Sequence, residues 1–155
     1  MNEIILYIHS LLRWLVLGFL IWSLIISYNG WTFKRHVTGK ENRIYLLALI
    51  IAHIQLLVGI TNLILNLTIA EFPGGFGTVM KDAHLRFFFV EHPLLMLIGV
   101  AILTIGRIYS KKIFNSYRMH KRYFIFLVIS LIVIFYSIPW PFSAIPRPLI
   151  PWIIP

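Results

Sequence analysis

Two histidines sit at matching places in two apolar runs. His9 opens "HSLLRWLVLGFL" and His92 opens "HPLLMLIGVAIL", and Arg13 follows His9 by one helical turn while Glu91 directly precedes His92. At a helical rise of about 1.5 Å per residue, His9 lies roughly 8 Å and His92 roughly 9 Å below the same membrane edge. Imidazoles from two helices at one level suit a haem iron, whose axial ligands approach from opposite faces. Arg13 falls on nearly the same helix face as His9, so it can serve a haem propionate or pair with Glu91. Hydrogen bonding between helices, or a proton or quinone role, are the other readings of His9 and His92.

His53 is about 13 Å from the opposite edge, near mid-membrane, at a level it does not share with His120. Its run carries a polar stripe of Gln55, Gly59, Asn62 and Asn66. Such a stripe faces other helices or a partner subunit, and His53 lies about 160° around from Gln55. A core histidine bonded to a neighbouring helix is the leading reading of His53, with a haem or quinone contact behind it. His36, His84 and His120 fall in connectors or near span ends and call for no special role. Pro93 can kink its helix just beyond His92. Met96 is one turn further on, where packing is the ordinary reading. The chain has no cysteine, which excludes disulfides, cysteine-ligated iron–sulfur clusters and covalently attached haem.

The elements that must position these residues are membrane spans. Of 155 residues, 59% are hydrophobic and only 12% charged, too few for the surface of a soluble domain. Runs at about 4–28, 44–69, 86–108 and 122–140 each approach the roughly 20 residues needed to cross a bilayer. The expected fold is all-α: an integral membrane four-helix up-down bundle over 1–140, followed by a Pro-rich tail over 141–155. Five of the eight prolines lie in that tail, with Trp152, so an interfacial segment is expected there rather than a helix. The opening "MNE" lacks a positive n-region and no A-x-A site follows, so the first span reads as uncleaved.

The formal charge of +9 is a topology signal, because it shows no basic stripe with stacking aromatics and nucleic acid is not expected. Connector 29–43 carries Lys34, Arg35, Lys40 and Arg43, and connector 107–122 carries Arg107, Lys111, Lys112, Arg118, Lys121 and Arg122. Connector 70–86 sets Lys81 and Arg86 against Glu71 and Asp82, and the tail adds only Arg147. Positive-inside then places both termini on the outer side of the membrane. The two His-x-Leu-Leu openings also suggest a faint internal repeat of helix pairs.

Together "IHSLLRW" (8–14), "AHIQLLVGI" (52–60), "MKDAHLRFFFVEHP" (80–93) and "SIPWPF" (137–142) resemble a family of small bacterial four-span membrane proteins labelled cytochrome B or cytochrome b-like. The resemblance covers nearly the whole chain. It implies a four-helix membrane fold with His9, His53 and His92 at the marked histidine positions and Arg13 beside the first. The expected function is a b-type haem protein for electron transfer, with one haem b held by His9 and His92, a quinone contact, and a place among other membrane subunits of a respiratory complex. The alternative is a cofactor-free structural accessory subunit docking through the stripe and the tail. A channel lined by Gln55, Asn62 and Asn66 is a further option, and no hydrolytic residue set is present.

Overall fold

Apolar composition and a capping box set the first two helices. α1 spans Asn2–Thr32 and α2 spans Gly39–Ile69. The turn between them closes when Glu41 N–H donates to Thr38 Oγ1 at 3.2 Å while Thr38 N–H donates to Glu41 Oε2 at 2.8 Å. That reciprocal pair satisfies two donors that a helix start leaves without partners. The computed structural model describes residues 2–69, 72–73, 75–113 and 117–145. Glu71, Gly74 and the tail beyond 145, with Arg147 and Trp152, lie outside these residues.

The connector after α2 is more ordered than the glycines and proline of its sequence suggest. It holds two short helices, α3 (Phe76–Lys81) and α4 (Ala83–Arg86), and Asp82 caps the second by accepting from Leu85 N–H at 2.8 Å. α4 continues through a π-helical turn, Phe87–Glu91, into α5, His92–Lys111. Pro93 supplies a physical reason for the wider turn: its ring would crowd the carbonyl four residues back, and it has no N–H to donate there. α6 spans Tyr117–Ser137 and ends before Pro139.

Four stretches are long and apolar enough to cross a membrane: Glu3–Thr32, Gly39–Ile69, Ala83–Lys111 and Tyr117–Ser137. The protein is an all-α, multi-pass membrane four-helix bundle, and its expected fold class holds. The helices overrun the hydropathy-based spans because charged residues at the water boundary continue a helix that apolar runs alone do not mark. One consequence is a correction at Arg107, expected in a connector but buried within α5.

Around the bundle α1 packs between α2 and α6, and α5 between α6 and α2, so α1 faces α5 across the diagonal. The α5–α6 contact is the closest because small residues meet there. A Cβ on Gly99 would come within 2.7 Å of Ile134, and one on Gly106 would overlap Phe126. Ser130 Oγ donates across the same seam to the Gly99 carbonyl at 2.7 Å. Lipid offers no hydrophobic reward for helix contact, so close backbone approach and interhelical hydrogen bonds hold such seams. Leu20, Ala48, Leu103 and Leu127 form an apolar middle layer. Ile, Leu and Phe side chains point outward along every span.

Candidate functional site

The half of the bundle that holds the start of α1 and the end of α6 contains a partly open cavity of about 440 Å³. His9, Ser10 and Arg13 of α1 line it, facing His92 and Met96 of α5. The polar stripe of α2, Gln55, Gly59, Asn62 and Asn66, supplies a further wall. The stripe therefore faces inward, toward the helices that carry the two histidines.

His9 and His92 meet across the α1–α5 diagonal. Their ring centroids are 6.3 Å apart and their planes stand at 79°. The depth match expected from the sequence corresponds to real proximity. Each ring is positioned by a different device. His92 Nδ1–H donates to the Ser137 carbonyl at 2.7 Å. That carbonyl lies in the last turn of α6, where helix carbonyls lack intrahelical donors, so it is available to orient a side chain. The bond fixes the tautomer and makes Nε2 the lone-pair nitrogen of His92. His9 is held by α2: Gln55 Nε2 donates to the His9 carbonyl at 2.9 Å and lies 3.4 Å from His9 Nε2. Gly59 makes room for the ring, since a Cβ there would sit 3.0 Å from His9 Cε1.

Arg13 lines the same cavity one turn deeper, with its guanidinium 5.4 Å from the Trp14 ring centroid. An Arg13–Glu91 ion pair, one of the two readings of Arg13, is not among the ion pairs of the described residues. Glu91 instead accepts from Arg86 Nε at 2.7 Å, and Arg86 Nη1 also donates to the Met80 carbonyl at 3.0 Å. The π-turn brings residues five apart onto one side of the helix, which keeps Glu91 local.

His53 lies elsewhere. Its Nδ1–H donates to the Leu49 carbonyl at 2.9 Å, and Thr104 Oγ1 of α5 is 3.4 Å from its Nε2. It does not line the cavity. Sequence reasoning passed over His84, which does line it, and the Ser137 carbonyl that orients His92. The signal for the latter was present: a serine ending a helix two residues before a proline.

His9 and His92 are the residues of this cavity that could hold a haem iron. A metal–imidazole bond is about 2 Å long, so two imidazoles on opposite faces of one ion have centroids about 6 Å apart. An acceptor behind His92 Nδ1 is also the usual support for a ligating imidazole. The walls include apolar Leu56, Leu63, Phe88, Phe89 and Val100, and among the described residues Arg13 offers the one guanidinium in the lining. The Gln55 amide must yield its place at His9 Nε2 for that nitrogen to ligate. Among the described residues no cluster of three or more His, Asp or Glu side chains could hold a bare metal ion. Comparison with family models, with curated proteins and with solved structures returns no match for this chain.

Proposed function

We propose that this protein is a membrane-bound b-type haem protein for electron transfer, with one haem b in the cavity between His9 and His92. The observation that carries the reading is the 6.3 Å approach of the two rings across the bundle diagonal. His9 and His92 would hold the haem iron and Arg13 would answer a propionate, while the Ser137 carbonyl orients His92. A haem held there supplies one-electron transfer, and the surrounding apolar side chains exclude water and set its potential. His53 has no place in this site and packs between α2 and α5. The chain resides in a bacterial inner membrane with both termini outside, and it works with other membrane subunits of a respiratory assembly. Quinone is the natural lipid-borne exchange partner.

The test is the absorption spectrum of the purified protein, oxidised and dithionite-reduced, with a pyridine haemochrome assay. Expected is a sharp reduced α-band and roughly one haem per chain. His9→Ala and His92→Ala should each abolish it. A featureless visible spectrum from folded protein extracted from its native membrane overturns the reading.

A cofactor-free accessory subunit is the second reading, and one observation favours it. Gln55 with His9, and Ser137 with His92, are complete interhelical hydrogen bonds that give both histidines a packing role. A featureless spectrum combined with loss of bundle stability in the same two mutants would establish that role.

A further inference from the structure

The opposite half of the bundle, around the end of α1 and the start of α2, buries a second polar group that the histidine cavity does not use. Arg107 of α5 is 6% exposed. Its Nη2 donates to Asn42 Oδ1 at 2.5 Å and to the Asn42 carbonyl at 3.4 Å. Both acceptors are neutral. The ion pairs among the described residues use Glu41 with Arg35 and His120, and Glu91 with Arg86, leaving Arg107 without a carboxylate. A guanidinium inside a membrane span is costly unless its charge is answered, so an intramembrane cation without a counter-ion points to a bound one.

Several of the neighbouring groups are hydroxyls, and the Glu41 carboxylate, which also acts on Tyr45, is engaged by Thr38 and Arg35. Arg107 is close enough to Tyr45 and Tyr123 to act on both phenols electrostatically. Tyr123 stands beside Ser23 of α1, and both residues are fully buried. Ser110, also fully buried, is one turn from Arg107 on the same face of α5. Arg107 Nη1 and Ser110 Oγ have no hydrogen-bond partner in good geometry, and Tyr123 OH and Ser23 Oγ have only a weak contact with each other. Buried polar atoms are satisfied in native proteins, so this group of under-satisfied polar atoms, with His120 Nε2 in the same half of the bundle, calls for an explanation. Nη1 can only donate, and the three hydroxyls can all donate. The Asn42 acceptors are already engaged.

We infer that this half of the bundle is a small-anion site, in which Arg107 answers the charge and Tyr123, Ser23 and Ser110 donate hydroxyl hydrogen bonds. Water would satisfy the hydroxyls but would leave the guanidinium uncompensated. Because Tyr123, Ser23 and Ser110 are fully buried, the occupant we infer is a small monatomic anion, chloride in a cell. The site is separate from the His9–His92 cavity, with Leu20, Leu103 and Leu127 between them in sequence along each helix. It stands or falls independently of haem.

The experiment is thermal unfolding of the purified full chain in detergent at constant ionic strength, with chloride replaced stepwise by gluconate. Expected is a saturable rise in melting temperature with chloride, reproduced by bromide and not by sulfate. Arg107→Gln should abolish the dependence. Tyr123→Phe and Ser23→Ala remove one neutral donor each and should raise the half-saturating chloride about tenfold. They keep the test decisive if Arg107→Gln does not fold. Melting that is indifferent to chloride, or a chloride dependence unchanged in Tyr123→Phe and Ser23→Ala, overturns the proposal and leaves a water cluster as the occupant.

Discussion

A histidine in a membrane span is explained by what its two nitrogens meet, and His9, His53 and His92 divide on that criterion. His9 and His92 share a cavity, whereas His53 bonds to its own helix at Leu49 and only approaches Thr104 Oγ1 of α5, whose hydroxyl donates to Val100. Interhelical side-chain hydrogen bonds in membranes average about 0.6 kcal/mol, so His53→Ala should cost the bundle less than about 1 kcal/mol. It should also leave the haemochrome yield at the wild-type level, and a yield that falls as far as in His9→Ala would return His53 to the site. His120 is a different case. It is fully buried, its Nδ1 lies 2.8 Å from Tyr45 OH, and its ring fills the place where a Gly30 side chain would be. Gly30→Ala should therefore destabilise by about 1–3 kcal/mol, against the usual gain from replacing a helical glycine. Denaturation in mixed detergent would read this directly, and unchanged stability would mean that the His120 ring moves aside.

At the scale of helices, the seams are set by small residues. Gly106 meets Phe126 on α6, while a Cβ on Gly18 would have nothing within 4 Å of it. The same substitution should thus have opposite signs at the two positions. Gly106→Ala costs about 1–3 kcal/mol by forcing α5 and α6 apart, whereas Gly18→Ala is neutral or stabilising by up to about 1 kcal/mol. Equal effects at both would show that helix propensity, not seam geometry, dominates. This contrast also marks what was legible beforehand. Apolar runs about one bilayer long revealed the four spans, and rise per residue put His9 and His92 at one depth. Hydropathy marks the hydrocarbon layer rather than the helix ends, so Arg107 and His120 looked peripheral although tertiary packing buries both. Glu91 went to Arg86 instead of Arg13 because a π-turn changes which residues share a side, and nothing in residue types alone foretells that turn.

For the whole molecule the remaining question is which end faces the cytoplasm. One end carries Lys34, Arg35, Lys40 and Arg43 around the α1–α2 turn, with Lys111, Lys112, Arg118, Lys121 and Arg122 around the α5–α6 turn. At the other end Arg86 is paired with Glu91, Lys81 stands next to Asp82, and Trp14 packs edge-on against Trp140 with centroids 6.4 Å apart. Basic residues resist translocation, and amphipathic indoles settle at the headgroup level, so the first end should be the cytoplasmic one. The absence of cysteine makes this easy to check, because any cysteine introduced is the only one in the chain. Gly39 and Gly77 lie at opposite ends of α2 and its following connector, both exposed and with open space for a side chain. In intact spheroplasts a membrane-impermeant maleimide should label Gly77→Cys and spare Gly39→Cys until the membrane is lysed. Such a pattern puts the His9–His92 cavity within about 10 Å of the periplasmic surface, where an exchange partner from that side can reach it. The opposite labelling pattern would invert the bundle, bring that cavity to the cytoplasmic face, and place Arg107 and its neighbours on the periplasmic side.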